Sequence, residues 1–192
     1  MSKKKVKNYS SRGFSLTELL ITITIFVMVT SAVYGGYSLS QKAYSEGEIS
    51  AEITQNGRVI IERINREIRQ AKEIVGDFPE ERAFAQEEII FEDGHTTTTY
   101  HYIRYFKADG EIKREVTGYY FSGDPEETLV PWDAVPPVGQ TLQTKTLEEA
   151  RTIGEWVLNL EFWGSKVINI ALTLQKKDKV FILESEIFGR NL

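Results

Sequence analysis

The amino-acid sequence predicts an α+β fold, in which one long N-terminal α-helix packs on a C-terminal antiparallel β-sheet domain. Two patterns predict it. A charge-free run of 23 residues, Leu19 to Gln41, passes directly into an amphipathic helical pattern, and after residue 80 the pattern changes to the alternation of β-strands. The chain has 192 residues, enough for one domain and an anchor helix. We predict four segments, which are 1–13, 14–41, 42–75 and 76–192.

The charge-free run is long enough to cross a bilayer, because about 20 apolar residues span the hydrocarbon core as a helix. Basic residues precede it and acidic residues follow it, namely Lys3, Lys4, Lys5, Lys7 and Arg12, then Glu46, Glu48 and Glu52. The positive-inside rule therefore predicts a single-pass protein of the cytoplasmic (inner) membrane with its N-terminus inside. A secretory signal would have a shorter apolar region with a cleavage site after it, whereas the small residue placed for processing here, Gly13, precedes the run.

Glu18 is a lone carboxylate at the start of this apolar segment. An acidic residue in the middle of a membrane helix costs about 2.5–3.5 kcal/mol, and less near the interface. A cation about 4 Å away would return about 4 kcal/mol at an effective dielectric constant near 20. If the chain is cut after Gly13, the nearest such cation is the new terminal amine of this chain or of a neighbour.

Beyond the apolar run, apolar residues recur at spacings of three to four residues or at sums of these. This pattern predicts an amphipathic helix with one apolar stripe. The residues of the stripe are Ile49, Ile53, Ile60, Ile64, Ile68, Ala71 and Val75. Two pairs of opposite charges stand four residues apart on its wetter side, Glu62 with Arg66 and Arg63 with Glu67. The sequence Gly-Asp-Phe-Pro at 76–79 ends the pattern. An unbroken helix over residues 14–75 would be roughly 93 Å long, so we expect its N-terminal half to project and give a lollipop shape.

Four glycines fall inside the predicted helix, where each costs about 1 kcal/mol relative to alanine. They are Gly35, Gly36, Gly47 and Gly57. Two interpretations of these glycines remain open. They form a hinge that is used when the helix packs in an assembly, or they reflect close helix packing or a tolerated loss of stability.

The remainder predicts an antiparallel sheet. Strands are expected at 88–91, 96–106 and 112–121, and the Asp-Gly turn within 107–110 joins the last two as a hairpin. Residues 122–139 contain four prolines and predict a long loop. Alternating apolar residues then predict strands at 158–162 and 168–174, and a turn at 176–179 leads to a last strand at 180–188.

The sequence Gly13-Phe14-Ser15-Leu16-Thr17-Glu18-Leu19-Leu20 resembles the cleavage and methylation motif of type IV prepilins and type II secretion pseudopilins. The resemblance implies that a prepilin peptidase removes the leader 1–13 and that Phe14 becomes the N-methylated terminus. It also implies that Glu18 pairs with the terminal amine of a neighbouring subunit during assembly. The expected product is a structural subunit that leaves the bilayer for an extracellular or periplasmic filament.

The helical segment 58–71, the strand before Lys176 and the terminal Arg190-Asn191 are similar to minor pilins of the W type and minor pseudopilins of the J type. This similarity implies a subunit that joins a small complex near the filament tip. Because Glu18 is present, we expect the subunit to pack beneath another one. The implied partners are other major and minor pilins or pseudopilins and the inner-membrane assembly platform.

Composition excludes several classes of protein. The chain contains no cysteine, so neither disulfides nor cysteine zinc sites occur. Loss of residues 1–13 removes five positive charges and no negative one, which would change the formal net charge from −5 to −10. An acidic surface is a poor partner for nucleic acid.

No pattern predicts an enzyme or a cofactor. His95 and His101 lack an evident third metal ligand. Asp124, Glu126 and Glu127 could supply oxygen ligands to calcium but lack the order of an EF-hand, so a solvated acidic loop is the favoured interpretation. Ser15 and Thr17 have no nearby base. We interpret the three tryptophans, Trp132, Trp156 and Trp163, as core or interface residues. We interpret Lys176, Lys177 and Lys179 as a solvated hairpin tip rather than a DNA contact.

One alternative function comes from a different class. The chain could be a single-span membrane protein that presents a sensory or ligand-binding β-domain. That alternative predicts that the basic leader is retained and that no polymeric form exists. The chemical nature of the mature N-terminus distinguishes the two.

Overall fold

The computed structural model describes residues 13, 15–76, 78–94 and 100–189. Within them the chain forms one long helix, a 3₁₀ turn (Arg82–Phe84) and seven strands, which are α1 (Leu16–Ile68), β1 (Glu88–Glu92), β2 (Tyr102–Ala108), β3 (Glu111–Phe121), β4 (Leu142–Gly154), β5 (Val157–Trp163), β6 (Val167–Lys176) and β7 (Lys179–Phe188). The predicted α+β fold is confirmed. The chain divides into two compact units, Met1–Gly47 and Glu48–Leu192.

The described part of the first unit is helical from Leu16 onwards, and every one of those helical side chains up to residue 47 is exposed. The helix is continuous through Gly35, Gly36 and Gly47, and no other atom lies within 4 Å of where a Cβ would stand at any of the three. None of these glycines therefore serves close packing within the described chain. The hinge interpretation of the three remains a prediction.

The second unit has a core formed by the C-terminal part of α1 and both of its sheets. The predicted stripe is buried at Ile53, Ile60, Ile64 and Ile68, and Ile61 is buried with it. Arg63 Nε lies 3.6 Å from Glu67 Oε1, as the four-residue spacing predicts. Such a stripe supplies most of the stability of an amphipathic helix, because helix propensity alone leaves it marginal.

Gly57 is needed for close packing of α1 in this unit. A Cβ there would stand 2.7 Å from Leu174 Cδ1 and would also collide with Leu183 Cδ1. At Gly154, the last residue of β4, the Ile60 side chain likewise occupies the space that a Cβ would take. Of the two interpretations offered for the helix glycines, close packing therefore holds at Gly57.

The helix ends at Ile68, seven residues before the predicted end at Val75. The chain after it runs antiparallel to β1 instead. The N–H of Lys72 donates to the carbonyl of Glu92 at 3.1 Å, and that of Val75 donates to Ile90 at 2.9 Å. Ala71 is still buried. The apolar pattern alone could not distinguish these extended residues from a last helical turn.

The strands form two antiparallel sheets rather than one, in the orders β1-β2-β3-β4 and β5-β6-β7. The β2–β3 hairpin turns at Asp109 and Gly110, which both have positive φ (54° and 75°), as expected for an Asp-Gly turn. The β6–β7 hairpin pairs Lys176 with Lys179, also as predicted. Of the strand predicted at 96–106, residues 96–99 lie outside the described residues, and β2 begins at Tyr102.

The strand β4, the longest among the described residues, was not predicted from the sequence. Its side chains are mostly exposed, and its half-buried apolar residues, Leu142, Leu147 and Ile153, are five and six residues apart. Three shifts of register with β3 interrupt the pairing. A strand of this kind shows no period of two, so pattern analysis missed it. The predicted proline-rich loop is confirmed between β3 and β4, and we call residues 122–141 the proline loop.

Candidate functional site

The first turn of α1 is capped by Ser15. Its Oγ accepts the N–H of Glu18 at 3.2 Å and lies 3.0 Å from Thr17 Oγ1. The Ser15 carbonyl accepts the N–H of Leu19 at 3.1 Å. Ser15 is thus the N-cap, and Glu18 stands at the third helical position, which is the Ser-x-x-Glu spacing of a capping box. This spacing was readable in the sequence, but the motif analysis missed it.

The cap fixes Glu18 in the first turn, where the helix dipole favours a negative charge. That effect is worth about 0.3–1 kcal/mol at exposed positions. It is smaller than the cost of about 2.5–3.5 kcal/mol for an acidic residue deep in a bilayer. The carboxylate therefore still requires a cation when the helix is in an apolar environment. Gly13 is exposed, while Phe14 and the leader residues 1–12 lie outside the described residues.

The helix after Glu18 is apolar on all sides. Large exposed side chains follow one another around its circumference, including Leu19, Leu20, Ile21, Ile23, Ile25, Phe26, Val27, Met28 and Val29. By length and composition α1 contains one segment able to cross a membrane. A helix without a polar face needs lipid or other helices around it. The structure thus provides a surface for either environment.

Threonine hydroxyls in this segment are satisfied within the helix itself. The Oγ1 of Thr22 donates to the carbonyl of Glu18 at 2.7 Å, and that of Thr24 donates to Leu20 at 2.8 Å. Thr30 makes the same bond to Phe26. These bonds leave no hydroxyl donor unpaired at the three sites, which removes most of the cost of placing threonine in hydrocarbon.

Tyrosines mark the far end of the apolar run. Tyr34, Tyr37 and Tyr44 are exposed, and Gln41 Nε2 donates to the hydroxyl of Tyr37 at 2.9 Å. Aromatic side chains with a polar tip favour the membrane–water interface. Their position fits a span that starts near Glu18 and ends near Gln41.

The acidic residues of the proline loop serve the loop itself. Asp124 Oδ1 accepts the N–H of Glu126, and Oδ2 accepts that of Thr128, both at 2.9 Å. Hydrogen bonds from Thr128 and then Glu126 lower the pKa of the Asp124 carboxyl. Glu127 pairs with Lys145. These contacts give the residues a role in the loop's conformation, in line with the favoured interpretation.

The histidines are not brought together with further ligands in the part of the chain that the structure describes. His101 lies just before β2, where its carbonyl accepts the N–H of Asp93 at 2.8 Å. His95 lies outside that part. No group of three His, Cys, Asp or Glu side chains suited to a metal occurs among the described residues.

Each tryptophan makes polar or cation–π contacts at a half-buried position. Trp132 Nε1 donates to Glu73 Oε1 at 2.7 Å. The Arg82 guanidinium lies 5.0 Å from the centre of the Trp163 ring. Lys176 Nζ lies 3.7 Å from the centre of the Trp156 ring, a cation–π contact. The sequence interpretation of these residues as core or interface aromatics did not identify the partners Glu73, Arg82 and Lys176, because contacts between segments far apart in the chain leave no periodic signal.

A charged network ties α1 to the first sheet. Arg114 Nε donates to Glu67 Oε2 at 2.9 Å, and Arg114 Nη1 lies 3.2 Å from Glu148 Oε2. Beside it, burial raises the pKa of the Tyr105 hydroxyl, and the charge of Glu67 adds to this. Burial also raises the pKa of Tyr102 to about 12. These buried groups are structural, since they lie within the packed layers of the second unit.

Comparison with known families gives one match. Residues 8–34 match the family model described as "Prokaryotic N-terminal methylation motif", and this segment includes Gly13, Phe14 and Glu18. No curated protein and no solved structure is significantly similar to the chain. The match supports a general relation to type IV pilins and pseudopilins, whose precursors a prepilin peptidase processes. It also fits the apolar helix and anchoring in the inner membrane.

Proposed function

We propose that this chain is a minor pilin or pseudopilin, a structural subunit cleaved after Gly13 and N-methylated at Phe14. It joins a type IV pilus or a type II secretion pseudopilus, within the filament or near its tip. One observation carries the proposal. The matched methylation motif, residues 8–34, includes the start of a helix that is apolar on all sides and capped at Ser15.

The apolar surface of α1 is covered first by lipid and later by other helices. In the inner membrane, lipid covers the apolar helix, and the basic leader holds the N-terminus inside. After the prepilin peptidase removes residues 1–13, the assembly platform moves the subunit into a filament, where helices of other pilins replace the lipid. The hydrogen bonds of Thr22, Thr24 and Thr30 lie within the helix, so these hydroxyls lose no partner in this exchange.

Glu18 supplies the specificity of assembly. The Ser15 cap fixes it in the first turn of α1, four residues after Phe14 in the sequence. A neighbour's terminal amine about 4 Å away would contribute about 4 kcal/mol at an effective dielectric constant near 20, which exceeds the contribution of the helix dipole. That amine exists only after cleavage, so maturation and assembly are coupled.

A minor role is favoured over that of the main filament subunit by the sequence of 58–71, by the strands around Lys176 and by the absence of cysteine. The charged pairs of that segment fasten α1 to the sheets, as in Arg114 with Glu67. The subunit would prime the filament and pack beneath another through Glu18.

Mass spectrometry of the N-terminus of the membrane protein tests the cleavage. We expect N-methyl-phenylalanine at residue 14 and no trace of residues 1–13. Gly13→Leu should leave the full-length precursor, whereas Gly36→Leu, at an exposed glycine inside α1, should be processed normally. A retained leader in the unaltered chain would contradict the proposal and favour a single-span sensory or ligand-binding protein.

Incorporation into sheared filaments tests Glu18. Glu18→Gln keeps the shape of the side chain and removes its charge, so processing should be normal. Losing even half of about 4 kcal/mol corresponds to more than a tenfold loss of incorporation. Glu48→Gln, an exposed acid farther along α1, is the matched control. Equal incorporation of the two variants would refute the assembly role of Glu18.

A further inference from the structure

The two sheets of the second unit present four edges, and three of them are covered or interrupted by described residues. The outer edge of β1 is bonded to residues 72–75, as in the bond from Lys72 N–H to the Glu92 carbonyl at 3.1 Å. The outer edge of β5 is bonded to Gln86, whose N–H donates to the Phe162 carbonyl at 3.0 Å. The pairing of β4 with β3 is broken by three shifts of register. Such interruptions protect an open edge, because they twist it away from a further strand.

The fourth edge, β7, is regular. It pairs with β6 at ten consecutive positions, from Lys179 with Lys176 to Phe188 with Val167, without a shift of register. No other strand among the described residues pairs with its far side. Its sequence contains neither proline nor glycine. An edge of this kind presents a row of backbone N–H and C=O groups that fits another extended chain.

The β6–β7 hairpin determines which backbone groups of β7 point to this open edge. Lys176 and Lys179 close the hairpin around a two-residue turn, so the backbone groups of Lys179 point towards β6. The direction alternates along an antiparallel ladder, and the side chains alternate between the two faces with the same period. The residues whose backbone groups point outwards therefore share one face of the sheet, and all of them are exposed. They are Val180, Ile182, Glu184, Glu186 and Phe188.

These five side chains define the chemistry of a strand that could bind beside them. Val180 and Ile182 form an exposed apolar part of the edge. Glu184 and Glu186 form an acidic part. Glu184 Oε1 accepts a hydrogen bond from Arg82 Nη1 at 2.8 Å, whereas none of the described residues forms a hydrogen bond or ion pair with the Glu186 carboxylate. The acidic part thus retains a negative charge that a cation would neutralise.

A cavity of about 340 Å³ lies beside the acidic part of the edge. Its walls include Trp163 and Asn169 together with both glutamates. The walls are held in place, because Asn169 Nδ2 donates to the Val167 carbonyl at 3.3 Å and Arg82 lies over the Trp163 ring. A lysine or arginine side chain fits such a site, since its alkyl stem packs on an aromatic wall while its charged end reaches a carboxylate.

A second copy of this chain matches the edge poorly. Antiparallel pairing of two β7 strands over residues 180–188 would place Glu184 opposite Glu184 of the other copy, and Glu186 opposite Ile182. Like charges directly opposite each other destabilise a strand pair. The edge therefore calls for a strand that carries basic residues where β7 carries its glutamates.

We propose that the open edge of β7 binds an extended segment of a different polypeptide, which becomes the fourth strand of the second sheet. Apolar residues of that segment lie beside Val180 and Ile182. Lysine or arginine lies beside Glu184 and Glu186, and one of these side chains enters the cavity at Trp163. Main-chain hydrogen bonds supply affinity in this mode of recognition, and the alternate side chains supply specificity. The contact goes beyond the proposed function, which depends on the N-terminal segment.

Fluorescein-labelled peptides test this binding on the uncleaved full-length chain in uncharged detergent micelles. The probes are Thr-Val-Thr-Val-Thr-Lys-Thr-Lys-Thr and its reversed sequence, which together cover both strand directions. We expect fluorescence anisotropy to show saturable binding of one of them. Replacing its lysines by glutamate should weaken binding about tenfold or more through charge repulsion. N-methylation of the amides on its pairing side should also cost about tenfold, because these amides can then no longer donate to β7.

A pair of charge variants locates the site. Glu186→Lys should weaken binding of the lysine peptide about tenfold or more and strengthen binding of the glutamate peptide. Glu149→Lys is the matched control, because Glu149 is an exposed acid on β4, the interrupted open edge. It makes the same change in net charge and should alter the affinity by about twofold or less. Thermal unfolding verifies that both variants are folded.

Four results would overturn the proposal. They are the absence of saturable binding by both peptides, equal weakening by Glu186→Lys and Glu149→Lys, and unchanged affinity of the N-methylated peptide. The fourth is a disulfide between Val180→Cys in one chain and Phe188→Cys in another, which would show a second copy at the edge. The chains are uncleaved, so a failure of leader processing does not affect the result.

Discussion

The two halves of α1 are both helical, but they differ in what covers their apolar side chains. From residue 16 to 47 the helix pairs threonine hydroxyls with its own carbonyls, as Thr24 does with Leu20, but its apolar surface is uncovered. From residue 48 to 68 its apolar stripe is covered by the sheets, and side chains such as Asn65 bond across to Ser185. The first half therefore lacks a cover for its apolar side chains, and the second half has one.

This difference shows how one helix can have one half suited to an apolar environment and the other half suited to a packed domain. Burial of the stripe makes the second half part of a stable domain, whereas the first half has no protein partner within the described chain. Substitutions at equivalent positions in the two halves should therefore have unequal effects on the stability of the domain. Fluorescence measures this domain selectively, because all three tryptophans lie in the second unit.

The largest difference is expected for isoleucine truncation. Ile64 is fully buried in the core, so Ile64→Ala should lower the free energy of unfolding by about 2–5 kcal/mol through lost burial and the cavity it leaves. Ile23→Ala in the first half should change it by less than about 0.5 kcal/mol. Urea unfolding followed by tryptophan fluorescence measures both. Similar losses for the two variants would show that the halves are not energetically distinct.

Glycine replacement should give effects of opposite sign. Gly57→Leu places a side chain where Leu174 and Leu183 already stand, and overpacking of this kind costs about 1–3 kcal/mol. Gly47→Leu meets no atom within 4 Å and should raise helix stability by up to about 1 kcal/mol. The same urea titration, with circular dichroism for helix content, tests the pair. A stabilised Gly57→Leu would refute the close-packing interpretation.

The pH dependence should also come from the second unit. Burial raises the pKa of Tyr102 from 10.0 to about 12, so between these values the unfolded chain loses this proton first. The unfolded state then binds fewer protons than the folded state, and stability falls by up to about 2 kcal/mol as pH rises through this range. Tyr102→Phe should flatten the fall. Tyr34→Phe, an exposed tyrosine of the first half, should leave the tryptophan-detected profile unchanged.

The sequence predicted those parts of the fold whose signals are local. The charge-free apolar run predicted the first half of α1 and apolar periodicity the second, and the Asp109-Gly110 turn predicted the β2–β3 hairpin. It did not predict the helix end at Ile68, because the backbone bonds of residues 72–75 to β1 come from a distant segment. It missed β4, whose exposed and bulged pairing needs no alternation. The division into two sheets is likewise a property of tertiary packing.

The candidate site was predictable in a similar way. Gly13, Phe14 and Glu18 lie within six consecutive residues, so the motif was visible without a structure, and the family match covers the same residues. The cleavage, methylation and assembly roles of these residues remain predictions. The cavity that Val59 and Trp156 line together was not predictable, because it joins a helix residue to a turn almost a hundred residues later.

The smallest effect is expected at the cap of the first half. Ser15→Ala removes the oxygen that accepts the Glu18 N–H, which costs the first turn about 1 kcal/mol and should speed hydrogen exchange of the Glu18 amide about fivefold. Ser38→Ala, in the interior of the same helix, should slightly stabilise it instead. Ser15→Thr should restore most of the protection, since threonine caps nearly as well. If Ser15→Ala is cleaved normally, its helix content is unchanged and its incorporation into filaments nevertheless falls, the cap acts by orienting Glu18 toward its partner. An unchanged Glu18 exchange rate would mean that the first turn is held by its surroundings and not by Ser15.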